Sequence, residues 1–424
     1  MKSRTLLLLS LVVALAIPLT AQGSVVAQGS GWKIDSVTSL NTDDHPLNRI
    51  SIAPDGQHFV YTEADSLCVV EMPSDDETCA ALPPEDRLSA PPREYYAPLA
   101  WSSDATRLAL VGAPFVYLAD TDLTVMNAED GSLNKIADDG VEERIGINPV
   151  PNLIIDSAPV WSPDGTQIAV ERTTANAAGE IKRSQIALVD AATGEARNLT
   201  GLPGYQDGDR DWGTVLSMAW SPDGSTLLFA TRHAQLDPLA DGLWAIDVES
   251  GEPELLLSLS AAIEPYREVF PDMEEVFLIS PMAWSPDSSK ILLWMGDPNS
   301  YAAPGVWPFI MDMETREITP LPQPFTTPTG DPRLLAPAFA AWSPDGAQIL
   351  TAWRMLATPN EDIGPSLDPE NNTAEIELVM YDVASGSSEA LGFLPLLPAY
   401  RYTAAWGEDG DVMIAGYYLK LAKN

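Results

Sequence analysis

One five-residue string recurs along the chain and limits what it can fold into. Trp161-Ser162-Pro163-Asp164-Gly165 returns as Trp220 to Gly224 and as Trp342 to Gly346. Two looser copies are Trp284-Ser285-Pro286-Asp287-Ser288 and Trp101-Ser102-Ser103-Asp104-Ala105. A degenerate first copy, Ala53-Pro54-Asp55-Gly56, and a degenerate last one, Trp406-Gly407-Glu408-Asp409-Gly410, complete the series. With Ile52 taken as the Trp equivalent, the anchors fall at 52, 101, 161, 220, 284, 342 and 406. A period of that kind marks a chain built from copies of one unit, whereas 424 residues alone would allow two or three separate domains.

The residue types explain the string. Pro presets φ for the first turn position, Asp hydrogen-bonds the local backbone, and Gly takes the left-handed position that closes a hairpin. Trp ends the preceding strand and offers a large face to the neighbouring unit. Short apolar strands follow the turn, as at Ile168 to Val170, Leu227 to Ala230, Ile291 to Trp294 and Ile349 to Trp353. A third strand runs into an acidic turn at Asp190, Asp247, Asp312 and Asp382, and a fourth short strand follows. Four antiparallel strands per unit, seven times over, predict an all-β propeller of four-stranded blades, with six or eight blades as alternatives. After Trp406 only Val412 to Leu421 remains, enough for one further strand or a little over, so the segment Trp32 to Leu40 is expected to supply the missing outer strand and close the ring. On this reading Asp164, Asp223 and Asp345 are turn residues rather than catalytic carboxylates.

The Trp-Ser-Pro-Asp-Gly string followed by Ile-Ala-Val or Ile-Leu-Thr resembles the TolB-like, PD40 or WD40-like propeller repeat, over essentially the whole chain after the leader. The resemblance implies the fold and leaves function open, since one fold hosts many activities. TolB also carries an α/β domain before its propeller; here the first repeat begins near Ile50, so that domain is expected to be absent. Propellers of prolyl-oligopeptidase-like enzymes look similar too, but their hydrolase domain needs a Gly-x-Ser-x-Gly elbow, a motif this sequence lacks.

The first residues read as a secretory leader. Lys2 and Arg4 precede an apolar run from Thr5 to Leu19, and Val25-Val26-Ala27 suits cleavage. The expected organisation is therefore a signal peptide at 1–27, a segment with the ring-closing strand at 28–49, and the propeller at 50–424. The run is short for a bilayer span and Pro18 interrupts it, so no membrane-spanning segment is expected after cleavage, and the protein is placed outside the cell or in the periplasm. Cys68 and Cys79 flank the hairpin-like Pro73 to Glu77, whose opposed positions would bring the thiols within bridging distance. A disulfide is the expectation and two buried free thiols the alternative.

Charge narrows the partners. Asp and Glu number 61 against 23 Lys and Arg, a formal net charge of −38. Nucleic acid and anionic lipid are disfavoured on that count. Three His and two Cys leave little for a zinc or haem site. A monomer is expected.

Loop lengths point to the working face. The first-to-second and third-to-fourth turns are tight, while the second-to-third and blade-to-blade connections are long, and in an up-and-down blade those two longer classes emerge together. On that face Arg172, Arg232 and Arg354 follow the second strand of their blades, 11, 12 and 12 residues after the Trp. They are candidates for an anionic group on a ligand, or for pairing with nearby carboxylates. His233 sits beside them. The loop Tyr205 to Gly213 alternates Asp207, Asp209 and Asp211 as calcium loops do, with Tyr205 and Trp212 available for contact. Calcium is its candidate ion, a solvated acidic loop the alternative. The leading expectation is a non-catalytic protein that binds a protein, peptide or glycan. The rivals are a propeller enzyme, such as a metal-assisted hydrolase or lyase on Asp207 to Asp211, and a structural subunit of a cell-envelope assembly.

Overall fold

The computed structural model describes residues 31–40, 51–63, 66–81, 99–111, 123–137, 154–175, 181–201, 214–232, 241–274, 276, 278–296, 306–324, 335–355, 375–395, 404–407, 410–414 and 416–423. Within them, 28 strands form seven four-stranded antiparallel sheets, the blades of a propeller ring. Blades 1 to 6 each use four consecutive strands; in blade 4 these are Thr214–Trp220, Thr226–Arg232, Gly242–Asp247 and Pro253–Ser258. Blade 7 takes three strands from the C-terminal end, Ala404–Trp406, Asp411–Ile414 and Tyr417–Lys423, and its outermost from the other end, Trp32–Ser39. The tail after Trp406 thus makes two further strands where the sequence reading allowed little more than one. A turn at Gly416, with φ of 87°, divides them.

In blades 1 to 6 the turn after the inner strand is a hydrogen-bonded knot. In blade 3 the Ser162 hydroxyl donates to Asp164 Oδ1 at 2.6 Å and accepts from the Gln167 N–H at 2.9 Å, while Asp164 accepts from the Thr166 N–H at 3.0 Å. Gly165 closes the turn with φ of 66°. Ser221 with Asp223 and Ser343 with Asp345 repeat the pattern. Two looser copies place Ala105 and Ser288 in the left-handed position, at φ 57° and 60°.

The Trp that precedes each turn joins neighbouring blades. Its indole N–H donates to the carbonyl of the residue just before the anchor one blade back: Trp101 to Ser51, Trp161 to Ala100, Trp220 to Val160, Trp284 to Ala219 and Trp342 to Ala283, at 2.9–3.3 Å. The apolar core lies between blades, for example Leu227, Phe229 and Ile246 of blade 4 against Ala169 and Leu188 of blade 3. The series fails at the closing blade. Ile52 has no indole to offer blade 7, and the buried indole N–H groups of Trp406 and Trp32 find no acceptor among the described residues. Those two rings instead meet edge to face, centroids 6.1 Å apart.

One long connection folds into a helix, Leu259–Arg267, between blades 4 and 5. Ser258 caps it, its hydroxyl accepting from the Ala261 N–H at 3.1 Å. Ala262, Tyr266 and Phe270 are buried in a cluster with Trp307, Phe309 and Trp353. The sequence reading placed only an irregular insertion here.

Candidate functional site

Strand order puts the first-to-second and third-to-fourth turns of blades 1 to 6 on one face and their second-to-third and blade-to-blade connections on the other; blade 7, closed by Trp32–Ser39, has no third-to-fourth turn. The turn face is chemically closed. Asp164, Asp223, Asp287 and Asp345 are held below the ordinary carboxylate range, first by the hydroxyl of the Ser two residues earlier and then by the backbone N–H two residues later. The second set of turns repeats this: Asp190, Asp247 and Asp312 are lowered chiefly by the N–H three residues on, and Asp382 by the Ser385 hydroxyl. In blade 1 burial alone would raise Asp55, but hydrogen bonds from His58 and from the Gln57 and His58 N–H groups bring it down. His58, 2.5 Å from Asp55, is raised by that bond. A recess of about 350 Å³ opens on this face between blades 3 and 4, lined by Pro163, Trp220 and Pro222, but its carboxylates, Asp164 and Asp223, are these same turn acceptors.

On the opposite face the three Arg do not form one constellation. Arg172 makes a two-pronged ion pair with Asp156, at 2.7 and 2.6 Å, with side chains only 11% and 3% exposed. Its position on the strand aligns it with Ile168 and Val170, on the side toward blade 2. Arg354 aligns instead with Leu350 and Ala352, on the side toward blade 7. The offset of 11 residues in one blade and 12 in another is enough to turn the side chain to the other side of the sheet. Arg232 ends the second strand of blade 4, opposite Thr214. His233, Tyr205, Trp212, Asp207, Asp209 and Asp211 lie outside the described residues.

Cys68 and Cys79 face each other across the outer hairpin of blade 1 and are joined by a disulfide with a sulfur–sulfur distance of 2.08 Å. Glu77 lies beside them, but sulfurs tied to each other are not available to a metal ion.

No family model matches this sequence. No curated protein matches it either. Solved structures that resemble the chain include a putative TolB from Agrobacterium tumefaciens, 15% identical with a TM-score of 0.40 over 79% of this chain and 91% of that one. TolB from Acinetobacter baumannii is 14% identical with a TM-score of 0.38, covering 87% of this chain and 78% of its own. An oligogalacturonate lyase from Vibrio parahaemolyticus is 13% identical with a TM-score of 0.46 over 90% and 78%. At such identities the likeness is one of fold alone; the seven blades are given by the strand order of this chain itself.

Proposed function

We propose that this chain is an exported β-propeller that binds a protein, peptide or glycan through its long-loop face and does not catalyse a reaction on it. The observation that carries the reading is the contrast between the two faces. One is a ring of short hydrogen-bonded turns; the other holds the long connections and the helix Leu259–Arg267. The repeated Asp carboxylates are the most numerous candidates for acid–base work. Their lowered pKa values and turn bonds suit them to structure rather than to proton transfer near neutrality. A disulfide fits the oxidising compartment to which the leader Met1 to Ala27 would direct the chain. No helix among the described residues is long and apolar enough to cross a membrane.

Arg232 and Arg354 each lie at the long-loop end of the second strand of their blade and are the cations to test there. Peptide and glycan arrays probed with the full chain should return a discrete ligand class. Replacing both Arg by Gln should weaken that ligand about tenfold, roughly one charge-assisted hydrogen bond. Binding to neither array, or conversion of the bound ligand into a product, would overturn the reading.

A further inference from the structure

Blade 6 turns one side toward blade 5. Along its second strand, Gln348–Met355, that side carries Ile349, Thr351, Trp353 and Met355. Along its third, Glu375–Asp382, it carries Glu375, Glu377, Val379 and Tyr381. Strand register aligns Pro337, Trp353, Glu377 and Phe393 in one row across the sheet, running from the channel to the rim. Exposure climbs along the row: Trp353 is 1% exposed, Glu377 half-buried and Phe393 55% exposed. Met355, one step nearer the long-loop face on the same side, is 42% exposed.

The cause lies in blade 5. Its outer strand, Ile318–Pro320, has three residues, opposite Phe309, Ile310 and Met311, and the Leu321 N–H adds one further bond to the Pro308 carbonyl. The outer strands of blades 4 and 6 have six and eight. Blade 5 therefore covers the turn-face half of blade 6, where Ile310 and Leu321 pack with Trp342 and Tyr381. Trp307 covers Trp353, with ring centroids 4.7 Å apart. The row beyond, Glu377 and Phe393, is left open. No described residue gives Glu377 a hydrogen bond or a counter-charge, and burial pushes its carboxyl above the ordinary value. A half-buried carboxylate with no counter-charge among the described residues, beside exposed Phe and Met, is a place where a cation arriving from outside would be favoured.

We propose that this notch between blades 5 and 6 docks a basic segment of a protein partner, with a Lys or Arg on Glu377 and apolar neighbours against Phe393 and Met355. Charge decides the occupant. A second copy of the chain would bring −38 against −38, and an anionic lipid surface would be repelled. A segment that is both cationic and apolar satisfies the carboxylate and the two exposed side chains together. The inference deepens the binding reading and rests on it for the existence of a macromolecular partner. It locates contact on the flank of the ring, on the side of blade 6 opposite Arg354.

The test titrates a fluorescein-labelled peptide alternating lysine and leucine against the full chain, read by fluorescence anisotropy. Glu377→Gln and Phe393→Ser should each weaken binding about tenfold. Glu129→Gln, the same charge change on the exposed turn face, should leave it unchanged. Circular dichroism confirms that each variant is folded; the exposed Phe393 and the near-isosteric Gln make this the expected result. Failure of the wild type to bind overturns the proposal. So does equal weakening by Glu129→Gln, which would mean diffuse attraction. Unchanged peptide binding by Glu377→Gln and Phe393→Ser, with the array ligand still bound by the wild type, sinks the notch and leaves the long-loop reading standing.

Discussion

An aspartate at a tight turn here does a mechanical task. Asp287 takes hydrogen bonds from Ser285 and from the Ser289 N–H and hydroxyl, which bring its pKa to about 2. A carboxylate whose folded value lies below its unfolded 3.8 stabilises the native state fully above that value, and the contribution disappears as pH falls through the folded value. Stability should therefore decline between about pH 4 and pH 2 as the turns lose their charged acceptors, and Asp287→Asn should make that decline shallower in urea titrations across the range. A slope identical to wild type would contradict this role. The turn Asp residues were legible in the sequence because they repeat: a group that recurs at every hairpin serves the hairpin. Glu377 had no such signal. Five residues before their turn Asp, the other blades carry Gln185, Gly242 and Trp307, so the position follows no pattern. Its meaning comes from a short strand in the neighbouring blade.

Among the elements, the inner strand with its terminal Trp is what joins one blade to the next. Five indoles donate to the blade before them; Trp406 donates to no described residue. Trp161 and Trp406 are buried alike, at 7% and 8% exposure, so replacing either by Phe removes comparable volume. Trp161→Phe should then be the more destabilising by about 1 kcal/mol, the net worth of its bond to Ala100, measured as the difference in unfolding free energy. Equal losses would show that the bond contributes nothing. The packing role of the repeated Trp was readable from sequence; the acceptor one blade back was not, because a carbonyl has no residue type. The helix Leu259–Arg267 had its signal in Ser258 before an Ala-containing run, masked by Pro265 inside it. Arg172 and Arg354 show the limit of spacing. Both offsets could be counted, but the one-residue difference acquired consequences only once strand alternation was fixed by the neighbours each side chain meets.

For the whole molecule, the ring was written in the anchors, and its closure in the imbalance between an incomplete last unit and a spare first strand. Trp32–Ser39 pairs with Tyr417–Lys423 along its length. Deleting residues 31–40 should expose the edge of that last strand and the Trp406 ring it shields. The expected results are a lower melting temperature and a concentration-dependent dimer or larger species by light scattering, as unpaired edges find one another. A shortened chain that stays monomeric and melts as wild type would mean the strand is dispensable. The acidity was visible at once, and its placement explains part of it: blades 1 to 6 each add an Asp at a turn where the backbone holds the charge.

Blade 7 also imposes an order in time. Synthesis produces Trp32–Ser39 first and Tyr417–Lys423 last, so the earliest strand waits without its partner while the six intervening blades are made. Local hairpins can form as they emerge, but the contact of greatest sequence separation forms at the end. During that interval an extended segment and half a blade stand unpaired, so the slowest and most aggregation-exposed moment in this protein's life falls just before the ring closes.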